Sequence, residues 1–244
     1  MNRPDNVTKN DWELIKEKYK DLDKVKNKLK NNYPIQYLIG NVNFYGYDII
    51  VNKNVLIPRF ETEGLLEETI KLIHKYKLEN TQVLDIGTGS GCIPIVLKKE
   101  IPEIHVTSVD ISRKALKVAK QNAKLHNVDI TLINKNIYKY KPINRYGVLI
   151  SNPPYVAFDE EVDPQIAYEP QNAIYAKDEG LEYYKFILNN MSKYLEKKFI
   201  MAFEIGYKQG NYLRKLSKDL FPRAGVFIKK DLAQKDRYLF IVNA

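Results

Sequence analysis

The chain has 244 residues, 44% of them hydrophobic, which is enough to bury one full core and excludes intrinsic disorder as the overall state. No run approaches the ~20 apolar residues of a membrane span, the start lacks an apolar signal-peptide region, and the single cysteine, Cys92, excludes an internal disulfide framework and a Cys-based zinc site. The net charge of +9 invites an anionic partner, yet it comes from 32 Lys and only 7 Arg, beside 22 Asn and 18 Tyr, which is the bias of AT-rich codons, whereas phosphate readers lean on Arg forks.

Along the chain, residues 7–32 place Trp12, Leu14, Ile15, Tyr19, Leu22, Val25 and Leu29 at intervals of three and four. That spacing predicts one or two amphipathic helices with a Lys-rich outer face, and Thr8 followed by Asp11 resembles a helix start. From residue 33 to 58, Tyr, Phe, Val and Ile are interrupted by Gly40, Gly46 and Asn52-Lys53-Asn54, which predicts short strands and a hairpin acting as a connector. A helix is expected over 61–77, and then strands and helices alternate. Strands are expected near 83–86, 106–109, 130–133, 147–150 and 199–203; helices near 93–99, 112–126 and 180–196; two final strands near 225–229 and 237–242. Such alternation predicts an α/β domain with a mostly parallel sheet covered by helices on both faces.

The first of these strands runs into Asp85-Ile-Gly87-Thr88-Gly89-Ser90-Gly91. Three glycines in five residues let the backbone bend sharply and approach a ligand at the carboxyl end of a strand, where doubly wound folds bind nucleotides. The spacing is G-x-G-x-G, not the G-x-G-x-x-G of a pyrophosphate cradle, which disfavours a dinucleotide-dependent oxidoreductase. Asp110 ends the next strand, where a carboxylate can accept from both ribose hydroxyls of an adenosine group. After the strand at 147–150 comes Asn152-Pro153-Pro154-Tyr155. Two prolines fix φ and remove two N–H donors, so the Asn152 side-chain oxygen and the Pro153 carbonyl can each accept one N–H of a planar NH₂ group while the Tyr155 ring packs on its flat face. His74, His105 and His126 lack matched ligand spacing, no metal site is expected, and Cys92 reads as filling a small packing slot.

Asn-Pro-Pro-Tyr preceded by a D-x-G-x-G-x-G loop resembles the methyltransferases that use S-adenosyl-L-methionine (SAM) to modify exocyclic or amide nitrogen. Pro34-Ile-Gln-Tyr-Leu-Ile-Gly40, Leu56-Ile-Pro-Arg-Phe-Glu-Thr-Glu63, Tyr168-Glu-Pro170, Phe203-Glu-Ile-Gly206 and Asp231-Leu-Ala-Gln-Lys-Asp-Arg237 narrow the resemblance to the release-factor, or protein-glutamine N5, methyltransferases. The resemblance implies a class I, Rossmann-like fold: a seven-stranded, mostly parallel sheet with a C-terminal antiparallel strand. It further implies a division into a shortened helical N-terminal segment (1–33), a β-hairpin connector (34–58) and a SAM-dependent methyltransferase domain (59–244). The implied reaction is methylation of the glutamine amide in the Gly-Gly-Gln loop of peptide-chain release factors.

Carried onto this chain, the resemblance implies that Gly87, Thr88, Gly89, Ser90 and Gly91 line the methionine end of SAM and that Asp85 helps place its amino group. Asp110 then holds the ribose, Asn136 and Ile137 border the adenine, and Asn152, Pro153, Pro154 and Tyr155 hold the glutamine, with Asn152 also reaching the cofactor. Asn136 stands where the family often has Asp, and Phe60 where it usually has Pro. The implied setting is the cytoplasm, with release factors as protein substrate, transient proximity to ribosomes, no membrane, no stable nucleic-acid complex and a monomeric enzyme. Two neighbouring readings share the amine pocket: a glutamine methyltransferase for a ribosomal protein, and an adenine-N6 methyltransferase that flips its base. No separate target-recognition domain is evident for the latter.

Overall fold

Thr8 caps α1 (Lys9–Lys18) by accepting the Asp11 N–H at 3.1 Å, and Asp21 caps α2 (Leu22–Lys30) through the Lys24 N–H at 3.0 Å. The computed structural model describes residues 3, 4 and 7–243. Trp12, Ile15, Val25 and Leu29 turn inward with Val7 and Leu38 to form a small apolar cluster of their own. Where the pattern predicts only short strands, residues 35–39 form a helix, α3 (Ile35–Ile39). Pro34 presets the helical entry, Gly40 ends it at φ +93°, and the buried Tyr37 donates its hydroxyl to the Val55 carbonyl at 2.6 Å. The hairpin follows as β1 (Asn41–Phe44) and β2 (Tyr47–Ile50), reversing at Tyr45-Gly46, both at positive φ.

The main sheet contains β3 (Gln82–Ile86), β4 (His105–Asp110), β5 (Thr131–Asn134), β6 (Tyr146–Ser151), β7 (Leu195–Glu204), β8 (Gly225–Lys230) and β9 (Asp236–Asn243). Their order is β5-β4-β3-β6-β7-β9-β8, with β9 antiparallel to both its neighbours and the other pairs parallel. Side chains along each strand alternate between two cores. Val83, Val148 and Ile200 pack on one face with α4 (Phe60–Tyr76), α5 (Cys92–Glu100) and α6 (Arg113–Leu125). Leu84, Leu149 and Met201 pack on the other with α7 (Glu182–Asn190) and α8 (Gly210–Leu220).

The class I methyltransferase architecture implied by the motifs is therefore present. The helix α8 is an addition to the pattern reading: Leu213, Leu216 and Leu220 recur at intervals of three and four between charged residues, and Leu213 and Leu216 pack on the sheet. From β3 the chain winds outward through β4 and β5 and returns to β6 on the other side. That reversal opens a crevice at the carboxyl ends of β3, β4 and β6.

Candidate active site

The loop leaving β3 holds Gly87 at φ +77° and Gly89 at φ +54°, a region L side chains rarely enter. A Cβ added at Gly87 would meet nothing within 4 Å, so the backbone here borders open space. Asp110, at the end of β4, fastens this loop: one carboxylate oxygen accepts the Gly89 N–H at 2.9 Å and the other the Ser112 N–H at 2.8 Å. Burial pushes its carboxyl up from the ordinary value, and these two backbone bonds oppose the shift. Each oxygen keeps a lone pair for a further donor.

Gly87, Gly89 and Asp110 line one cavity together with Asn136, Ile137, Asn152, Pro153 and Pro154. Asp85, Thr88, Ser90, Gly91 and Tyr155 stand outside that lining. Asn136 turns its side-chain oxygen to the Tyr138 N–H at 3.0 Å, starting a short turn, so one lone pair of that acceptor is already engaged. The cavity also takes walls that pattern reading did not assign, among them Val55 and Leu56 from the connector and Tyr183 from α7.

Behind the glycine loop sits a group of unsatisfied polar atoms. Asp85 is fully buried, and neither of its carboxylate oxygens nor the Thr88 and Ser90 hydroxyls has a hydrogen-bond partner. Burial pushes the Asp85 carboxyl up to about 7, the polarity of the nearby Thr88 and Ser108 hydroxyls opposing the shift and the charge of Asp110 adding to it. Unpaired groups of this kind cost roughly 1–3 kcal/mol each, a cost that a cationic ligand group can offset. A glycine loop bordering open space, a carboxylate with free lone pairs and a second, unpartnered carboxyl behind the loop fit SAM, whose diol and ammonium need such acceptors. Cys92, by contrast, is buried with its thiol pushed up to about 12, which leaves it inert.

Asp85 has a measurable consequence. Between its ordinary value of 3.8 and about 7, the folded carboxyl keeps a proton that the unfolded chain releases, so its contribution to stability declines as pH rises through that window. Asp110 shifts in the same direction. Asp85→Asn is expected to flatten the fall in stability between pH 4 and 7, read by urea denaturation of the protein without cofactor; an unchanged slope would contradict the raised value.

At the end of β6, the Ser151 hydroxyl donates to the Ile86 carbonyl at 2.7 Å and locks the strand end to β3. Asn152 then donates its side-chain N–H to the Thr62 hydroxyl at 3.1 Å. Thr62, in the first turn of α4, donates in turn to Glu204 Oε2 at 2.6 Å, and the Tyr155 hydroxyl donates to Glu204 Oε1 at 3.1 Å. Tyr155 thus reaches Asn152 through Glu204 and Thr62, with its hydroxyl already engaged. Glu204 is 1% exposed at the end of β7; burial pushes its carboxyl up, while Thr62, Arg237 and Tyr155 hold it back. Thr62 and Glu204 fall inside two of the motif segments that carry the family resemblance, but nothing in their local spacing indicates that they meet.

The exit from this loop is tightly fitted. The Tyr155 carbonyl accepts from Gln209 at 3.0 Å, and Gly180 lies against it at φ +80°. A Cβ at Gly180 would stand 2.0 Å from that carbonyl oxygen. Gly180→Ala is expected to cost about 2–4 kcal/mol in urea unfolding; a loss below 1 kcal/mol would mean the loop yields. The other wall is braced by Glu169, which accepts the Ile57 N–H at 2.9 Å and pairs with Arg59, and by Tyr168, whose hydroxyl donates to the Asn31 carbonyl at 2.7 Å.

Residues 63–169 match the family model described as methyltransferase small domain. A release factor glutamine methyltransferase from Bacillus cereus is 36% identical over 234 residues, covering 93% of this chain and 83% of the relative. One from Flavobacterium psychrophilum is 40% identical over 220 residues, covering 86% and 76%. Among solved structures, a methyltransferase from Pyrococcus furiosus superposes with a TM-score of 0.60 at 16% identity, covering 92% of this chain and all of that one. That likeness speaks to the fold.

Proposed function

This chain belongs to the release factor glutamine methyltransferase family, and from that premise we propose that it transfers a methyl group from SAM to the side-chain amide nitrogen, N5, of the glutamine in the Gly-Gly-Gln motif of peptide-chain release factors. The observation that carries this reading is the orientation of Asn152: its N–H₂ end is turned onto Thr62, so its oxygen remains to accept from an incoming amide beside the Pro153 carbonyl.

When bound, SAM would supply a methyl group on a sulfonium sulfur, which keeps the electron pair of the broken S–CH₃ bond as a neutral thioether while the amide nitrogen takes the methyl. An amide nitrogen is a poor nucleophile because its lone pair is delocalised, so the task of this chain is alignment and electrostatics. Asn152 Oδ1 and the Pro153 carbonyl each accept one N–H of the glutamine amide, which fixes the NH₂ plane and aims the nitrogen into the cavity. The negative ends of both dipoles then face the atom on which positive charge grows as the new N–C bond forms. One N–H proton leaves to solvent once the bond is made. Asp110 holds the ribose hydroxyls, the backbone of residues 87–91 and the Asp85 carboxyl take the methionine end, and Asn136 and Ile137 border the adenine.

The same reading assigns catalysis to residues 59–244 and the approach of the protein substrate to the helical segment 1–33 and the connector 34–58. It places the enzyme in the cytoplasm as a monomer, near ribosomes where release factors act, without a stable nucleic-acid complex. Among the described residues no helix is long and apolar enough to cross a membrane. Radiolabelled SAM offered with a purified release factor, the same factor with that glutamine changed to alanine, and duplex DNA tests the assignment. Label is expected on the intact factor alone; label on DNA, or on the factor lacking the glutamine, would overturn it.

A further inference from the structure

A side-chain amide has two ends of nearly equal shape and opposite hydrogen-bonding character, so an asparagine that must accept from a substrate NH₂ needs something to decide which end faces it. We propose that Thr62 and Glu204 are positioning residues that set the polarity of the Asn152 amide, holding its oxygen toward the substrate amide. This inference rests on the reading of Asn152 as the acceptor given above.

The decision starts at Glu204. Against the pull of burial, the Thr62 and Tyr155 hydroxyls and the Arg237 charge favour its ionised form, which only accepts, and its two oxygens are met by those hydroxyls, Thr62 at 2.6 Å and Tyr155 at 3.1 Å. The single Thr62 proton is therefore committed to Glu204, and toward Asn152 the Thr62 oxygen can only accept. The N–H₂ end of Asn152 must face Thr62, at 3.1 Å, which leaves its oxygen for the cavity that Asn152 lines. Rotating the amide by half a turn would set oxygen against oxygen at Thr62 and aim two donors at the donors of the incoming amide. The three groups come from the first turn of α4 and the ends of β6 and β7, so one relay couples the acceptor loop to the rigid sheet. With glutamine at 204, the terminal NH₂ can donate to Thr62 and release its proton toward Asn152, and the flip is no longer penalised.

The test uses two substitutions with opposite consequences for packing and polarity. Thr62→Val keeps the shape and removes the hydroxyl, whereas Thr62→Ser keeps the hydroxyl and removes a methyl group. Thr62→Val is expected to lower kcat by about 10–100-fold, and Thr62→Ser to stay within about threefold of the parent, with SAM affinity by calorimetry changed less than about threefold in both. A packing role predicts the reverse order. Glu204→Gln, folded by thermal melting, is expected to lose kcat to a similar degree and to add little to Thr62→Val, because both break the same relay. Full kcat in Thr62→Val or Glu204→Gln, a greater loss in Thr62→Ser, or additive losses in the double variant would overturn the proposal. Asn152→Ala run alongside separates the two levels: if it too keeps full activity, the reading of Asn152 as the acceptor fails; if it alone is inactive, only the relay fails.

Discussion

Asn152→Ala is expected to lower kcat by about 10²–10³-fold while the dissociation constant for SAM changes less than about threefold. The substitution removes one of the two carbonyl-type oxygens proposed to hold the glutamine amide, and the one fixed by a directional relay through Thr62 and Glu204. With only the Pro153 carbonyl left, the NH₂ plane is free to turn, and both the alignment and the dipole opposing the growing positive charge weaken in the transition state. The cofactor loses far less, because the glycine loop, Asp110 and the Asn136 turn do not depend on Asn152 for their positions. Steady-state kinetics at saturating SAM and calorimetric titration read the two quantities separately. Equal losses in both would move Asn152 from the acceptor to the cofactor.

Asp110→Ala is the opposite case. Its carboxylate joins the loops after β3 and β4 through Gly89 and Ser112, and its remaining lone pairs are the proposed partners of the ribose diol. Charge-assisted hydrogen bonds are worth about 1.5–3 kcal/mol each, so losing this group is expected to weaken SAM binding by roughly 10²-fold. At saturating SAM, kcat is expected to recover to within about fivefold, since the acceptor relay is untouched. If Asp110 serves only to cap the loop, the melting temperature falls and SAM affinity stays near the parent value, which would contradict its placement at the ribose.

Much of this arrangement is legible in the amino-acid sequence. Strands β3 and β6 are short, mostly apolar runs and β4 is a β-branched stretch ending in Asp110, and the chemistry lies at their ends because backbone direction and the order reversal bring those ends together. Local patterns do not reach α3, whose five residues read as β-formers but are turned by Pro34 and Gly40, nor α8, a short helix whose Leu213, Leu216 and Leu220 stripe is carried by only 11 residues. The relay was hidden for a different reason. Thr62 and Glu204 lie 142 residues apart, each in a motif whose local spacing carries no sign of the other, and only the packing of α4 on β7 joins them. The Tyr155 ring is expected to pack on the flat face of the substrate amide, and its hydroxyl bonds the buried Glu204, a partner no local pattern shows. Nor did spacing reveal that the Asp85 carboxyl has no partner, which becomes visible only once its surroundings are known.

The most direct measurement is the site of methylation itself. A purified release factor incubated with this enzyme and SAM, digested and mapped by tandem mass spectrometry, is expected to gain 14 Da, the mass of one added CH₂, on the amide of the Gly-Gly-Gln glutamine and nowhere else. Modification at another residue, or none on the factor while a ribosomal protein or a nucleic acid is methylated under the same conditions, would contradict the account.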